Sequence, residues 1–330
     1  MSKSYARIMI LLGSAAFFAF TTGLLSIALK HEKNESESLR SALAYTTQGR
    51  SVTGEFLPAD VDHHYELSGH KIFLEDPTYG QIWLPVLADV PLSSHPKEQM
   101  KQDTETMRMH SYDAEGNENA IMGIDISAHN NVTDWNAVKA DGIDFVMLRV
   151  GNRTYGGGII KEDTMFKQNY QNAKAAGLKI GAYFFSQAIS EEEAAEEAVF
   201  TAQQLEGLTL DFPVAYDWEI IFDDDDARTD QMSVDMLTNC TLTFCQNMEK
   251  FGFSPMIYQN KRTALLKYDL PRLQGYPFWL AEYDDGPTYI YDYAMWQYSC
   301  KGAVAGVEGN VDMNLAYPEM LGGNVVSPTD

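Results

Sequence analysis

Cysteine and basic residues are both scarce in this chain. Three cysteines in 330 residues are too few for the disulfide framework that holds a small secreted scaffold together. Lysine and arginine number 24 against 47 aspartates and glutamates, so the formal net charge is −23. Binding to nucleic acid and electrostatic docking on anionic lipid both need basic patches. The composition therefore argues against nucleic acid as a partner.

Charge of either sign is absent from residues 8–29. As a helix this run would span about 33 Å, which is enough to cross a bilayer. Lys3 and Arg7 precede it, and residues 26–28 (SIA) resemble the small-residue cleavage site of a signal peptide. The run is long for a signal peptide, so we predict an uncleaved transmembrane anchor over residues 1–29, with a cleaved signal peptide as the alternative.

The segments that follow differ in composition from the rest of the chain. Residues 30–52 are polar and charged and predict a linker. Residues 53–118 predict a small β-rich segment of unknown role, with strands at 70–75 and 81–86 around a turn. His63 and His64 follow Asp62, but their spacing matches no known metal site, and we expect no metal.

From residue 121 onward, short apolar runs alternate with helical patterns. The apolar runs lie at 121–126, 145–150, 179–185, 213–218, 255–258, 277–281, 294–298 and 306–313. The helical patterns lie at 134–140, 163–176, 190–206, 229–251 and 262–268. This cadence predicts parallel strands with right-handed crossovers. We therefore predict an α/β fold. Because there are eight strands and the later connections are too short for full helices, we predict a β/α barrel over residues 119–320 rather than an open sheet, before a tail at 321–330.

Two carboxylates follow the apolar run at residues 213–216. Asp217 and Glu219 are two residues apart, so strand geometry directs both to one face, roughly 6–7 Å apart along the chain. Their repulsion should raise one pKa, and glycoside cleavage needs a protonated acid beside an ionised partner. For such a pair taken alone, the alternative is a solvated strand end or a structural ion pair.

Acids and aromatic rings recur at the ends of the other predicted strands. Barrels of this kind carry their function at the carboxyl ends of the strands. Asp125 closes the first apolar run and Asp312 lies in the last, while tryptophan and tyrosine stand at positions 279, 283, 296 and 298. Sugar rings pack on aromatic faces, so this combination predicts a site for a sugar polymer.

Eight motifs, in order across about 200 residues, resemble the family 25 glycoside hydrolases, which are lysozyme-like muramidases. The motifs are GIDIS at 123–127, DW at 134–135, GAYFF at 181–185, YDWE at 216–219, PMIY at 255–258, WLAEY at 279–283, WQY at 296–298 and VDMN at 311–314. The resemblance covers residues 121 to about 318 and leaves the first 120 residues unexplained.

The resemblance implies a distorted β/α barrel, with fewer helices than strands, that cleaves the β-1,4 bond between N-acetylmuramic acid and N-acetylglucosamine. Glu219 resembles the general acid and Asp217 its partner on the same strand, while Asp125 and Asp312 resemble the acids of the first and last strands. Asp217 would either stabilise the oxocarbenium-like state or orient the substrate's 2-acetamido group for internal attack. No metal or cofactor is implied. We predict substrate contacts from seven further residues of these strands: Tyr183, Tyr258, Trp279, Glu282, Tyr283, Trp296 and Gln297.

The resemblance also predicts the binding partner and the cellular location of the protein. The implied partner is peptidoglycan, which lies outside the cytoplasmic membrane. We therefore predict a monomeric, single-pass membrane protein with an extracellular catalytic domain, or a secreted protein if residues 1–29 are cleaved. Lys30, Lys33 and Arg40 follow the span, so the count of basic residues does not favour this orientation. Two other functions are a wall-binding module without turnover and a barrel hydrolase of another polysaccharide, such as chitin.

Overall fold

The computed structural model describes residues 71–321 with the exception of 77–78, 88, 222–226 and 230–231. The predicted membrane anchor at 1–29, the linker at 30–52 and the tail beyond Leu321 lie outside the described residues. Within the described ranges, no helix combines the length and the apolar composition that a membrane crossing requires.

The described residues contain fifteen strands, six α-helices and two short 3-10 turns. The strands are β1 (Lys71–Asp76), β2 (Gly80–Pro85), β3 (Met100–Gln102), β4 (Met109–Ser111), β5 (Ile121–Ile126), β6 (Asn131–Val132), β7 (Phe145–Arg153), β8 (Ile160–Glu162), β9 (Lys179–Ser186), β10 (Val214–Trp218), β11 (Pro255–Asn260), β12 (Phe278–Ala281), β13 (Met295–Gly302), β14 (Val307–Glu308) and β15 (Val311–Ala316). The helices are α1 (Trp135–Ala140), α2 (Phe166–Ala175), α3 (Glu191–Leu205), α4 (Val234–Lys250), α5 (Lys261–Lys267) and α6 (Leu270–Leu273). The 3-10 turns are Lys97–Gln99 and Pro318–Met320.

Eight of these strands close into a barrel. Their order around it is β5, β15, β13, β12, β11, β10, β9 and β7, and β7 pairs with β5 to complete the ring. Neighbours from β5 through β7 and β9 to β13 are parallel, while β8 lies outside the ring as an antiparallel partner of β7. The prediction of an eight-stranded barrel with fewer helices than strands is confirmed.

The last barrel strand departs from the parallel pairing that the strand–helix–strand cadence predicts. Strand β15 runs antiparallel to both of its neighbours, β13 and β5. Its link to β13 spans residues 303–310 and contains only the two-residue strand β14. A parallel return needs a crossover of about a dozen residues or more, so a link this short can only bring the chain back antiparallel. The reversal sets Asp312 directly opposite Asp125 in the register.

Side chains fill the inside of the barrel below its carboxyl end. The ring of Phe145 stacks on that of Phe212, with the centroids 4.5 Å apart. Gly123 leaves room for it, since a Cβ at Gly123 would lie 2.3 Å from the Phe145 ring. Gly181 serves the same purpose, because a Cβ there would lie 2.3 Å from the sulfur of Met147. The interior is therefore a packed core rather than a pore, and a ligand can be reached only from the end.

Helices cover much of the outer face of the barrel, and serine residues cap the starts of two of them. The hydroxyl of Ser190 accepts a hydrogen bond from the backbone N–H of Glu193 and so caps α3. Ser233 caps α4 in the same way through the N–H of Met236. Such caps satisfy amide groups that the first turn of a helix leaves free. The five helical patterns predicted from the sequence are confirmed as α1 to α5, within a few residues at each end.

Residues 71–118 pack around β12, β13 and β15, where the connections contain no helix. The predicted strands at 70–75 and 81–86 are confirmed as the antiparallel pair β1 and β2. The hydroxyl of Tyr291 accepts the backbone N–H of Leu87 at 2.8 Å, and the ring of His95 stacks on Tyr317 at 3.5 Å. Apolar side chains of this segment belong to the same continuous core as the outer barrel face. The segment thus replaces missing helices in shielding the sheet.

Candidate active site

The four predicted acids meet at the carboxyl end of the barrel. Asp125 lies near the end of β5, opposite Asp312 at the start of the reversed strand β15. Asp217 lies near the end of β10, and Glu219 follows directly after that strand. The charge of Asp312 raises the pKa of both Asp125 and Glu219, and the charge of Asp125 raises that of Asp217. The structure therefore brings all four carboxyl groups into one electrostatic cluster.

Asp217 and Glu219 form the first acidic pair of the site. The charge of Glu219 acts directly on Asp217, so the two carboxyl groups resist being ionised together. Burial raises the pKa of both groups, and the charge of Glu219 raises that of Asp217 further. Asp217 is buried, and its Oδ1 has no hydrogen-bond partner. This pair can therefore supply a proton and a vacant acceptor side by side.

Asp125 and Asp312 form a second acidic pair beside the first. Burial raises the pKa of Asp125 to about 8, with the charge of Asp312 as the next cause, and burial raises the pKa of Asp312 to about 6. Two hydrogen bonds to Asp125 Oδ2 oppose the rise, from Gln297 Nε2 at 2.8 Å and from Asn314 Nδ2 at 2.9 Å. Directly opposed carboxylates repel, so the two groups resist being ionised together.

Three of the predicted aromatic residues form the floor beneath these acids. Tyr183, Tyr258 and Trp279 belong to the cluster that fills the barrel. Trp279 meets the other two edge to face, with centroids 6.1 Å from Tyr183 and 4.8 Å from Tyr258. All three are buried, so they offer little open surface to a sugar. Substrate therefore contacts these three side chains only where one of its groups reaches the bottom of the site.

Tyr283 and Gln297 also join the site, in different ways. Tyr283 is 55% exposed and stands at the rim after β12. Its hydroxyl donates to Gln297 Oε1 at 2.8 Å. Gln297 is buried beneath it and bonds Asp125. The exposed ring of Tyr283 is therefore open to a sugar, whereas the amide of Gln297 is already occupied.

Glu282 and Trp296 do not reach the inner face. The Glu282 carboxylate accepts the backbone N–H groups of Thr288 at 2.8 Å and Tyr289 at 3.1 Å, and Lys261 pairs with it at 3.3 Å. Trp296 is fully buried in the outer core, and its Nε1 donates to the backbone oxygen of Glu282. Both side chains hold the loop after β12 rather than open onto the acids. Trp296 points outward because strand side chains alternate, and Gln297 takes the inward position.

Three inward-facing residues were missed by the sequence reasoning. Arg149 lies two residues beyond the inward Met147, and its positive charge lowers the pKa of Asp217 against the effect of burial. Its Nε donates to the buried Asp163 at 2.8 Å. Phe185, a half-buried ring, is the register partner of Asp217, and Asn314 follows Asp312 by two. Period-two spacing from residues known to face inward would have found all three.

The chemistry available here is that of acids, amides and phenols. Across the described ranges, no group of His, Cys, Asp or Glu side chains has the arrangement that would hold a metal ion. Two acidic pairs with raised pKa values and an exposed ring at the rim suit acid-catalysed cleavage of a glycosidic bond.

Comparison with known proteins agrees with this geometry. The sequence model described as "Glycosyl hydrolases family 25" matches residues 124–307. The chain is 30% identical over 209 residues to a protein named "Autolytic lysozyme" of Clostridium acetobutylicum, which is 62% of this chain and 59% of that protein. The chain therefore spans less than two thirds of that relative's length.

Two solved structures share the fold. The modular autolysin LytC of Streptococcus pneumoniae superposes with a TM-score of 0.54 and 19% identity, covering 77% of this chain and 58% of LytC. The Clostridium perfringens spore cortex lytic enzyme SleM superposes with a TM-score of 0.52 and 22% identity, covering 61% of this chain and 68% of SleM. The family match covers more than half of the 330 residues and includes Asp125, Asp217 and Glu219. This chain belongs to glycosyl hydrolase family 25.

Proposed function

We propose that this chain is a peptidoglycan hydrolase that cleaves the β-1,4 bond between N-acetylmuramic acid and N-acetylglucosamine. The observation that carries the proposal is the acidic pair of the buried Asp217 and the half-buried Glu219 at the carboxyl end of a family 25 barrel, where burial raises the pKa of both groups. The name of its lysozyme relative supports the same substrate. We also propose that the enzyme acts as a monomer.

Glu219 acts as the general acid in this proposal. It gives its proton to the glycosidic oxygen as the bond to the anomeric carbon of N-acetylmuramic acid breaks, and the oxygen leaves with the N-acetylglucosamine unit. Burial and the charge of Asp312 both raise the pKa of Glu219, which keeps it protonated closer to neutral pH. Protonation by a positioned acid is typically worth about 100- to 10,000-fold in rate.

Asp217 binds and orients the 2-acetamido group of the same sugar. Its unpartnered Oδ1 can accept the acetamido N–H, which stabilises the Asp217 anion and leaves Glu219 as the protonated member of the pair. The acetamido oxygen, held by this bond, attacks the anomeric carbon as the leaving group departs. Water then opens the cyclic intermediate, with the Glu219 carboxylate taking its proton. Substrate thus supplies the donor that the buried oxygen lacks.

Product analysis tests the bond that is cut. Purified peptidoglycan is digested with the full chain, reduced with borohydride and analysed by mass spectrometry. A muramidase leaves N-acetylmuramic acid at each new reducing end, so the fragments should carry N-acetylmuramitol. Reduced N-acetylglucosamine ends would contradict the proposed bond. Fragments from chitin but none from peptidoglycan would indicate another polysaccharide, and binding without fragments would indicate a wall-binding module.

We also propose that residues 30–330 lie outside the cytoplasmic membrane, tethered by the anchor predicted over residues 1–29. The support is the location of the proposed substrate and the uncharged run at residues 8–29. Protease added to intact protoplasts should release the barrel and leave a small membrane fragment. A barrel that survives until the cells are lysed would show the opposite orientation. A free protein in the medium that begins near Leu29 would show a cleaved signal peptide.

A further inference from the structure

The side-chain amide of Gln297 makes three hydrogen bonds inside the barrel. Gln297 is buried, with 4% of its surface exposed. Its Oε1 accepts the hydroxyls of Tyr258 at 2.9 Å and Tyr283 at 2.8 Å, and its Nε2 donates to Asp125 Oδ2 at 2.8 Å. An amide with these three bonds has little capacity left for a sugar. The amide of Gln297 therefore acts mainly on Asp125.

The direction of these hydrogen bonds is fixed by a neighbour. The indole N–H of Trp279 can only donate, and it donates to Asn314 Oδ1 at 2.8 Å. Asn314 must then turn its Nδ2 to Asp125 Oδ2, where it lies at 2.9 Å. When Asp125 is ionised, its Oδ2 carries no proton, so Gln297 also presents its NH2 group to that oxygen. Both tyrosine hydroxyls are left to donate to the amide oxygen.

We propose that Gln297 is a positioning residue that keeps Asp125 a hydrogen-bond acceptor, and that Tyr283 links substrate at the rim to Asp125 through it. The proposal rests on the proposed function and names two residues that control the same site. The ring of Tyr283 is exposed while its hydroxyl points inward to Gln297. A sugar that packs on this ring therefore fixes a donor only two hydrogen bonds away from Asp125.

The loop that carries Tyr283 is anchored at two points, which fixes the position of the Tyr283 ring and hydroxyl. At one point, Glu282 accepts the backbone N–H groups of Thr288 and Tyr289 and pairs with Lys261. At the other, Lys97 pairs with Asp285. Lys97 belongs to the segment before the barrel, outside the residues that match the family. That segment therefore helps to define the rim of the site.

Removing the Gln297 donor has a defined effect on Asp125. The hydrogen bond from Gln297 lowers the pKa of Asp125, so its loss should raise that pKa. Other titratable groups that act on Asp125 stay in place in such a variant. They are Asp312, Glu219, Asp217, Tyr183, Tyr258 and Tyr283. Any step that needs Asp125 ionised would then fail at a higher pH than in the unaltered chain.

The test compares pH profiles of kcat/KM on purified peptidoglycan for the full chain and two variants. In Gln297→Met, which keeps the length but removes the amide, the acidic limb should move up by about one pH unit, with about tenfold lower activity below it. Tyr283→Phe, which keeps the ring, should move the limb the same way by less and leave KM within about threefold. The control Tyr276→Phe alters a partly buried tyrosine before β12, at the other end of the barrel, and should move nothing.

An unmoved acidic limb in Gln297→Met, with only a rise in KM, would overturn the proposal and make Gln297 a substrate ligand. Thermal unfolding between pH 4 and pH 9 gives a second readout that needs no turnover. The stability of the unaltered chain should fall as Asp125 ionises, and in Gln297→Met this fall should occur at higher pH. An unchanged fall also overturns the proposal. If the unaltered chain cleaves no peptidoglycan while this shift appears, the proposed function fails and the positioning role stands.

Discussion

Replacing Asp312 by asparagine should stabilise the protein and impair it at the same time. Asp312 lies directly opposite Asp125, so two acidic groups share one register position of the sheet. Burial is the first cause of the raised pKa of Asp312. An amide of nearly the same shape keeps the packing but removes one charge from the pair. The site thus contains a carboxylate whose loss of solvation folding must overcome, as active sites often do.

The size of the effect follows from the pKa. Burial raises the pKa of Asp312 from 3.8 to about 6, and each pKa unit corresponds to about 1.4 kcal/mol. Ionising Asp312 in the folded chain is therefore unfavourable by about 3 kcal/mol as an upper limit. Because this side chain is partly exposed, screening by solvent reduces the figure to about 1–2 kcal/mol. For a domain of this size we expect Asp312→Asn to raise Tm by about 2–8 °C.

The sign of the pH dependence gives the sharper test. A carboxyl whose pKa is raised by folding contributes stability that is fully present below its unfolded pKa and is lost as the pH rises through its folded pKa. The gain in Asp312→Asn should therefore be absent near pH 4 and complete above about pH 6. Calorimetry at pH 4, 5, 6 and 8 measures it. A gain that is equal at all four pH values, or a loss at pH 8, would refute the electrostatic reasoning.

Further predictions concern catalysis and packing. Asp312→Asn should lower the pKa of Glu219 and move the alkaline limb of kcat/KM to lower pH, because the charge of Asp312 raises that pKa. Trp296→Phe should reduce the free energy of unfolding by about 1–3 kcal/mol in urea titrations yet leave KM within about threefold, whereas Tyr283→Ala should raise KM. Gly123→Ala should destabilise the protein by about 1–3 kcal/mol or more in the same titration, since its Cβ would overlap the Phe145 ring.

The sequence was a good guide wherever local patterns decide the structure. Apolar runs and helical patterns predicted the strands and helices, because hydrophobic periodicity acts over a few residues. The pair Asp217 and Glu219 was predicted on one face because strand geometry requires it. The eight-stranded barrel followed from the order of these elements, and the structure confirms it.

Prediction was weaker wherever the result depends on which face of a strand turns inward. The tryptophan of the WQY motif was assigned to substrate, but alternation places Gln297 inside and Trp296 in the outer core. The reversal of β15 depends on the length of one connection, and it alone places Asp312 opposite Asp125. Glu282 was assigned to substrate because it lies at a strand end, yet its partners come from a loop six residues later. Such partners are set by tertiary packing, which no short motif encodes.

The most direct test of the central claim is the rate at which Glu219→Gln releases reducing ends from purified peptidoglycan. The amide is nearly isosteric but has no acidic proton, so we expect a loss of about 100- to 10,000-fold with an unchanged circular dichroism spectrum. Glu206→Gln is the matched control, because it makes the same change at an exposed residue after α3 and should keep full activity. A Glu219→Gln variant that cleaves within about threefold of the unaltered chain would contradict the assignment of Glu219 as the general acid.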